Sequence, residues 1–519
     1  MKTKCAAISA ALFGILLASV GWADDITLTS RDGQVEITGV FLGFDGEFYR
    51  VQTDYGELTV DGTGVRCDGP ACPSLQDYVA DLSISGSATM GAVLMPALVE
   101  GFARQYGFEA SRADVDATHF SFDLREAETG KQAAVLSFRL TNADEGFADL
   151  LANEADIVMS LREIREDENR RAREAGMGDM TEANRSYVVA LDAVVPIVAP
   201  GNPIREISPA MLAQVYSGVM TSWRELGGAD AEIALFAPGI ATGLAQATED
   251  QILRPVDVSI SPNAKRLING RLLAEAVSRD PFGFGVTSYA EVGRAQPLTL
   301  TGPCGRSLQA TRRTIKTEDY PLTAPMFLYT PARRLPQLGR AFMAYIRSSE
   351  AQVVIRRAGF VDQAPEEISI DDQGYRFANA ISAAGQDVPL AELQRMTARL
   401  NGMKRLTTSF RFEAGSARLD AQSRANVMQL AQRLEQGRYD ARSLLFAGFS
   451  DGDGPAEPNR MIALERAEAV RAAIADAVQE ETLDRVGIEV DAFGEALPMA
   501  CDDSAWGRSV NRRVEVWVR

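Results

Sequence analysis

The alternation of continuous apolar runs with amphipathic segments between Ser74 and Val361 is the feature that most constrains this chain. Runs such as Val188 to Val198 and Phe282 to Val286 are typical of strands buried on both faces. Met95 to Tyr106 and Pro209 to Tyr216 instead place apolar residues at helical spacing. This alternation predicts an α/β domain over residues 74–361, with mostly parallel sheets. At 519 residues the chain is too long for one hydrophobic core, so we expect it to form several domains.

The N-terminus has the pattern of a secretory signal peptide. Two lysines precede an apolar run from Cys5 to Val20, and small residues precede the first aspartate, Asp24. The run is shorter than the roughly 20 residues that span a bilayer. We therefore predict cleavage after residue 23 and export of the mature chain. Cys5 lies at the N-terminal start of this run, far ahead of the predicted cleavage position, and is not placed as a lipoprotein cysteine.

Residues 24–73 contain short alternating strands separated by Asp-Gly and Tyr-Gly pairs, which is a pattern of β-hairpins. We predict a small SH3-like β domain there, whose role the sequence does not reveal. Beyond the signal, four cysteines remain: Cys67, Cys72, Cys304 and Cys501. An oxidising compartment favours disulfides, and four cysteines allow three pairings. The turn residues between Cys67 and Cys72 favour a bridge between these two. A zinc site is the weaker alternative, because the only histidine, His119, is far away in the sequence.

Two further segments complete the chain. Residues 362–404 are acidic, contain glycine and proline and end in a helical pattern, so we interpret them as a linker with a helical segment. Residues 405–519 alternate again, with a strand from Ser443 to Phe449, a helix from Pro458 to Val478 and a last strand from Val514 to Val518. They predict a compact C-terminal α/β sandwich.

This last region carries the clearest candidate site. A glycine-rich turn follows the strand that ends at Phe449 and enters a helix near Asn459, with Arg466 seven residues further on. Two helical turns place these two residues on one face, and Asp451 in the preceding loop can share their cleft. An anion beside a forked cation suits a zwitterion, since arginine binds a carboxylate bidentately.

Gly448, Ser450, Asp451, Gly454, Asn459, Arg466, Ala467 and the segment Asn511–Glu515 resemble the signature of the OmpA-like family. The resemblance implies that Asp451 and Arg466 hold the diaminopimelate of a peptidoglycan stem peptide. It also implies that Asn459, Asn511 and Arg512 shape this site. Phe449 and Ala463 replace a histidine and a serine that the family often has, without touching the charged pair. The implied location is the periplasm, against the cell wall and near the outer membrane of a Gram-negative-type envelope.

The central region resembles phosphate ABC-transporter substrate-binding proteins. The stretches that carry the resemblance are Ser85–Gly91, Glu154–Ile164, Ala190–Pro203, Tyr216–Gly228, Gly283–Val286 and Tyr320–Leu322. They imply a two-lobed type II periplasmic binding protein fold with a ligand cleft between the lobes. Hydroxyls, helix N-termini and one arginine hold phosphate in such proteins. Ser87, Thr89 and Ser160 stand at matching positions.

Other parts of this anion site depart from the family. The segment Pro238–Leu244 keeps Thr242 and Gly243 but lacks the family's arginine, and Asn142–Gly146 brings in two acids. Arg162 is a candidate replacement cation, although an arginine that opens a charged helix is commonly solvated or ion-paired. Three alternatives stay open for the cleft: phosphate or a related anion, a different small ligand, or use as a protein-interaction module for envelope partners.

Charge and motif content exclude other classes. A formal net charge of -18 disfavours nucleic acid as a partner. His119 lies among polar and acidic residues, without a nucleophile elbow or a metal-ligand spacing elsewhere. We therefore expect a binding protein that is not an enzyme and uses neither a cofactor nor a metal.

Overall fold

The computed structural model describes residues 25–74, 78–385, 388–413 and 415–519, so the predicted signal peptide lies outside the described residues. The chain divides into two compact units, Met1–Ala80 and Asp81–Arg519. The second unit contains both the central and the C-terminal α/β regions, which we call the central domain and the C-terminal domain.

The first unit is a five-stranded antiparallel sheet in the order β4-β3-β2-β1-β5. Its strands are β1 (Asp25–Ser30), β2 (Glu36–Phe44), β3 (Phe48–Thr53), β4 (Gly56–Asp61) and β5 (Val65–Asp68). Ile26, Leu28, Tyr49 and Val51 form its small core. A disulfide joins Cys67 and Cys72, as the turn residues between them predicted.

The central domain contains fourteen strands and nine helices in the described residues. They are β6 (Ala80–Ser87), α1 (Met95–Tyr106), β7 (Phe108–Asp114), β8 (His119–Glu126), β9 (Gln132–Thr141), α2 (Ala143–Leu151), β10 (Ile157–Ser160), α3 (Glu166–Glu174), β11 (Ser186–Val198), β12 (Glu206–Ile207), α4 (Pro209–Ser217), β13 (Ala234–Pro238), α5 (Gly243–Thr248), β14 (Lys265–Leu267), α6 (Gly270–Arg279), β15 (Gly283–Ser288), β16 (Gln296–Pro297), β17 (Thr299–Thr301), β18 (Ser307–Leu308), α7 (Arg312–Lys316), β19 (Thr323–Tyr329), α8 (Gln337–Ile346) and α9 (Ser349–Arg357).

Strand β11 connects the two lobes of this domain. Its first part, Ser186 to Ala193, pairs with β19, and its second part, Val194 to Val198, pairs with β15. The two lobes are thereby joined by long strands, as the resemblance to binding proteins implied. The expectation of mostly parallel sheets was wrong: β11 runs antiparallel to both of its neighbours, and β7, β8 and β9 form an antiparallel meander. A continuous apolar run shows that a strand is buried on both faces. It does not show whether the neighbouring strands are parallel or antiparallel, which depends on how the strands are connected.

The C-terminal domain is a five-stranded sheet in the order β20-β21-β24-β22-β23 with helices on both faces. Its elements are β20 (Glu367–Ser369), α10 (Gly374–Ala383), α11 (Leu390–Leu400), β21 (Lys404–Phe410), α12 (Ala421–Glu435), β22 (Ser443–Phe449), α13 (Ala456–Ala477), α14 (Glu480–Leu483), β23 (Gly487–Ala492), α15 (Ala505–Asn511) and β24 (Arg513–Val518).

Strand β22 shows why a strand of this sheet is an almost unbroken apolar run in the sequence. Leu444 and Phe446 pack with α12 and α13, whereas Leu445 and Phe449 pack with α11 on the opposite face. Because successive side chains alternate between faces, a strand covered on both sides must be apolar throughout.

The segment 362–404 is not a free linker. Strand β20 pairs antiparallel with β21, and α11 buries Leu393, Met396 and Leu400 against the sheet. The acidic, glycine-containing composition of this segment is typical of a connector. Composition does not reveal its contacts with residues far away in the sequence.

The central and C-terminal domains pack directly on each other. Ala421, Met499, Ala500 and Val510 of the C-terminal domain belong to the same hydrophobic cluster as the central core. A disulfide between Cys304 and Cys501 links the two domains covalently. The sequence left the partners of these two cysteines open, because nothing local to either one indicates the other.

A buried ionic network crosses the same interface. The guanidinium of Arg405 donates to Asp319 at 2.8 Å, and Arg411 donates to the carbonyl oxygen of Glu318 at 2.6 Å. Burial opposes ionisation of Asp319, but Arg405 and the nearby Arg376 and Arg411 hold its pKa below the usual range. The network fixes the orientation of the two domains, because a buried charge separated from its partner is costly.

Candidate functional site

The first candidate site lies at the end of β22, where the chain turns into α13. Gly448 lets α13 pack closely on β22, since a Cβ at this position would lie 2.1 Å from the carbonyl oxygen of Ala463. Gly454 in the turn has a φ of 101°, which favours glycine. This close packing carries Arg466, on the third turn of α13, to the same end of the sheet as Asp451.

Asp451, Arg466 and Arg512 form a cluster of charges at this end. Nη1 of Arg512 donates to Oδ2 of Asp451 at 2.6 Å. The guanidinium of Arg466 lies 5.4 Å from the ring centre of Phe412, and its Nε has no hydrogen-bond partner among the described residues. Burial lowers the pKa of Arg466, and the charge of Arg512 lowers it further, while Asp451 opposes both. Asp451 thus contacts Arg512 directly, and no anion of the described residues is in hydrogen-bond contact with Arg466.

The two asparagines of the predicted site support its loops. The Asn459 amide donates to Oε1 of Glu495 at 2.6 Å and to the backbone of Asp453 at 3.2 Å. Oδ1 of Asn511 accepts from the backbone N–H groups of Met499 and Ala500 at 2.7 and 3.0 Å. Both side chains are used in holding the loops around the charges.

Asp502 is a site residue that the sequence did not indicate. It accepts from the backbone N–H of Gly452 at 3.1 Å and from the amide of Asn511 at 2.8 Å. Its neighbour Cys501 carries the disulfide to the central domain, so one wall of the site is tied to that domain. Neither residue belongs to a local motif, and only the folded chain brings them to Asp451.

The second candidate site is the cleft of the central domain. Ser87 and Ser160 end the parallel neighbours β6 and β10, so both hydroxyls lie at one edge of the sheet. Thr89, which is partly exposed, precedes the short helix Met90–Leu94 and makes no capping hydrogen bond. Gly243 of the other lobe closes on this edge, where a Cβ would lie 2.9 Å from Oγ of Ser87. The cleft is therefore closed by direct contact between the lobes.

The hydroxyls of this cleft differ in their availability. Oγ of Ser87 is buried and has no hydrogen-bond partner among the described residues. Oγ of Ser160 donates to the carbonyl oxygen of Arg162 at 2.7 Å. Thr242 caps α5: its Oγ1 accepts from the N–H of Ala245 and donates to the carbonyl oxygen of Gly239. Among the described residues of this cleft, Ser87 thus has a buried hydroxyl that is unused, and the partly exposed Thr89 does not use its hydroxyl for capping.

Arg162 is fully engaged. Its guanidinium donates to Glu168 at 2.6 Å and to Asp144 at 2.5 Å, and 10% of its side chain is exposed. With two carboxylates around it, Arg162 does not supply the cation that the cleft lacks relative to the family. The ion-paired alternative for this residue agrees with these contacts.

The N-terminus of α2 is filled from the other lobe. Oε1 of Gln246 on α5 accepts from the N–H of Ala143 at 3.3 Å, and its amide donates to Asp144 at 2.7 Å. Asn142 caps the same helix by accepting from the N–H of Glu145 at 3.0 Å. A helix N-terminus binds an anion with its free backbone N–H groups, and those of Ala143 and Glu145 already donate to side chains of the protein.

Outside these two sites, His119 pairs with Asp116 at 3.0 Å on the surface. In the described part of the chain, no group of three or more potential metal ligands is found. No helix among the described residues is long and apolar enough to cross a membrane.

Comparison with known proteins assigns both regions to families. The PBP superfamily domain matches residues 74–350, and the OmpA family matches residues 411–512. A phosphate-binding protein PstS of Staphylococcus haemolyticus is 22% identical over 209 residues, which are 39% of this chain and 63% of that relative. The chain thus spans less than two thirds of that relative's length.

Solved structures resemble the two regions separately. An ABC-type phosphate transport receptor from Vibrio cholerae is 20% identical, with 54% of this chain and 99% of that chain covered and a TM-score of 0.41. The peptidoglycan-associated lipoprotein from Burkholderia pseudomallei is 28% identical, with 21% of this chain and 89% of that chain covered and a TM-score of 0.19. The chain belongs to the PBP superfamily and carries an OmpA-family domain fused behind its two-lobed binding-protein domain.

Proposed function

We propose that this is an exported periplasmic protein that binds peptidoglycan non-covalently through its OmpA-family domain and holds a binding-protein domain rigidly against the cell wall. The observation that carries the proposal is the cluster of Asp451, Arg466 and Arg512. It has one anion and two guanidinium groups in a cleft whose loops are fixed by hydrogen bonds.

The cluster matches the two charges of a diaminopimelate-type stem peptide. A ligand carboxylate between Arg466 and Arg512 relieves the repulsion of two guanidinium groups and supplies Arg466 with a hydrogen-bonding anion. The ligand ammonium then lies beside Asp451, whose orientation the contact with Arg512 fixes. A neutral sugar would leave the second guanidinium uncompensated, so a zwitterion suits the cleft better.

Co-sedimentation of the mature chain with purified diaminopimelate-type sacculi tests this proposal. We expect an Asp451→Ala, Arg466→Ala double variant to lose binding by at least about tenfold, because two charge-assisted contacts are removed. A matched control is Asp484→Ala, Arg471→Ala, which removes the same two charges from exposed positions of the same domain. Unchanged sedimentation of the first variant would refute the assignment.

For the central domain, the contacts favour a closed module that presents a surface to envelope proteins. Gln246, Arg162 and Asp144 satisfy one another across the cleft, and two acids stand near the position that an anion would take. Such a domain contributes shape and rigidity to a scaffold or sensor attached to the wall.

Phosphate or a related small anion is the second candidate for this cleft, and the unused, buried hydroxyl of Ser87 favours it. Calorimetric titration of the mature chain with phosphate and with sulfate distinguishes the two functions. The closed module predicts no heat with either anion. Saturable heat that a Ser87→Ala variant loses would establish anion binding in the cleft instead.

A further inference from the structure

A cavity of ≈ 610 Å³ lies between the central domain and helix α12 of the C-terminal domain. One wall comes from the central segments 181–188 and 344–352, and the other from residues 421–438. None of the peptidoglycan-site or cleft residues lines it. Its volume is within the range of pockets that enclose a small organic ligand.

The charge of this cavity is opposite to that of the whole chain. Four arginines, Arg347, Arg424, Arg433 and Arg438, line it beside a single acid, Glu350, in a protein whose formal net charge is -18. Because a bulk negative charge repels anions, an anion that binds here must be held by these local cations.

Three of these arginines lack a carboxylate partner in the part of the chain that the structure describes. Arg424 is paired with Glu163 at 2.5 Å, but no ion pair is found for Arg347, Arg433 or Arg438 within the described ranges. Arg347 lies over the ring of Tyr187 at 5.5 Å. Burial lowers the pKa of Arg433 and the charge of Arg438 adds to this, while Tyr439 and Asp362 oppose it. Arg433 is partly buried, whereas Arg347 and Arg438 are exposed. Guanidinium groups that line one cavity without carboxylate partners favour an anion there.

The remaining lining supplies neutral hydrogen-bonding groups. Gln429 and Gln432 on α12 and Gln436 directly after it recur at helical spacing, and Ser348 and Ser349 come from the opposite wall. The amide of Gln429 is held by Oε1 of Gln363 at 2.6 Å, so part of this wall is preorganised. Amides and hydroxyls beside cations suit a ligand with a polar organic body as well as charged groups.

We propose that this interdomain cavity binds a small polyanion that carries at least two phosphate or carboxylate groups. Arg347 from the central domain and Arg433 and Arg438 from the C-terminal domain hold the anionic groups, and the glutamines of α12 contact the body of the ligand. Because both domains contribute, the bound ligand also strengthens their association.

Calorimetric titration of the mature chain with ATP, pyrophosphate and citrate tests the proposal, with inorganic phosphate as the single-anion comparison. The first two probes carry phosphate groups and citrate carries carboxylates, so the titration also identifies the chemistry that is preferred. We expect saturable binding of at least one polyanion, weaker or absent heat with inorganic phosphate, and a rise in the midpoint of thermal unfolding when the polyanion is present.

An Arg347→Gln, Arg433→Gln variant should bind that polyanion at least about tenfold more weakly. The matched control is Arg170→Gln, Arg294→Gln, which removes two exposed arginines outside the cavity and should bind as the parent does. The proposal is overturned if none of the three polyanions binds, or if both double variants weaken binding equally, which would indicate a nonspecific charge effect.

Discussion

At the scale of single residues, Glu318 at the domain interface has a strongly raised pKa. Glu318 is buried next to Asp319, where Asn426 donates to Oε1 at 3.3 Å. Burial, and then the charge of Asp420, raise the pKa of this carboxyl from 4.5 to about 8, although Arg411 opposes the shift. Glu318 is therefore protonated in the folded protein at neutral pH, in contrast to its ionised neighbour Asp319.

This shift predicts how stability depends on pH. Between the ordinary pKa of 4.5 and the folded value of about 8, the folded chain binds a proton at Glu318 that the unfolded chain has released. The contribution of the protonated Glu318 carboxyl to the stability of the fold is therefore fully present below a pH of 4.5 and is lost as the pH rises through about 8. A Glu318→Gln variant should unfold at a higher temperature than the parent at about pH 9, with little difference at about pH 5.

Thermal unfolding of both proteins across this range checks the prediction, and Glu128→Gln, at an exposed position, is the control. Parallel curves for parent and variant at every pH would show that Glu318 does not titrate between the two values.

At the scale of elements, the sequence predicted where strands and helices lie better than how they pair. Helix α1 has the predicted bounds, and β22 likewise, because their periodicity is local. The partners of β11, the place of β20 in a sheet and the contact of Asp451 with Arg512 depend on residues far away in the sequence. Asp451 and Arg466 were predicted from a motif confined to one turn and one helix and Arg512 from the segment Asn511–Glu515, whereas no motif indicated Asp502 or Glu495.

Helix α11 provides a test at this scale. Met396 is fully buried against the sheet, so Met396→Ala should reduce the free energy of unfolding by about 2–5 kcal/mol through the cavity that it leaves. Gln394→Ala, an exposed position on the same helix, should change it by less than about 0.5 kcal/mol. Urea denaturation measures both. Equal, small effects would restore the interpretation of 362–404 as a linker.

At the scale of the whole molecule, the bond between Cys304 and Cys501 connects residues 197 positions apart, whereas Cys67 and Cys72 are 5 apart. Closing a longer loop removes more conformational freedom from the unfolded chain. Replacing Cys304 and Cys501 by serine should therefore destabilise the chain by about 2–4 kcal/mol in the unfolding transition of residues 81–519. The matched Cys67→Ser, Cys72→Ser variant should leave that transition unchanged. Calorimetric unfolding of both variants decides, and an equal effect on this transition would contradict the argument.

The same bond makes the stretch from Cys304 to Cys501 a closed covalent ring, in which the backbone and the disulfide are two independent connections between the central domain and the C-terminal domain. A protease that cuts the backbone once anywhere inside the ring leaves both pieces in one molecule. Separation requires a cut and a reductant together. Under oxidising conditions, a cut between these cysteines would therefore nick the protein without separating the central domain from the C-terminal domain.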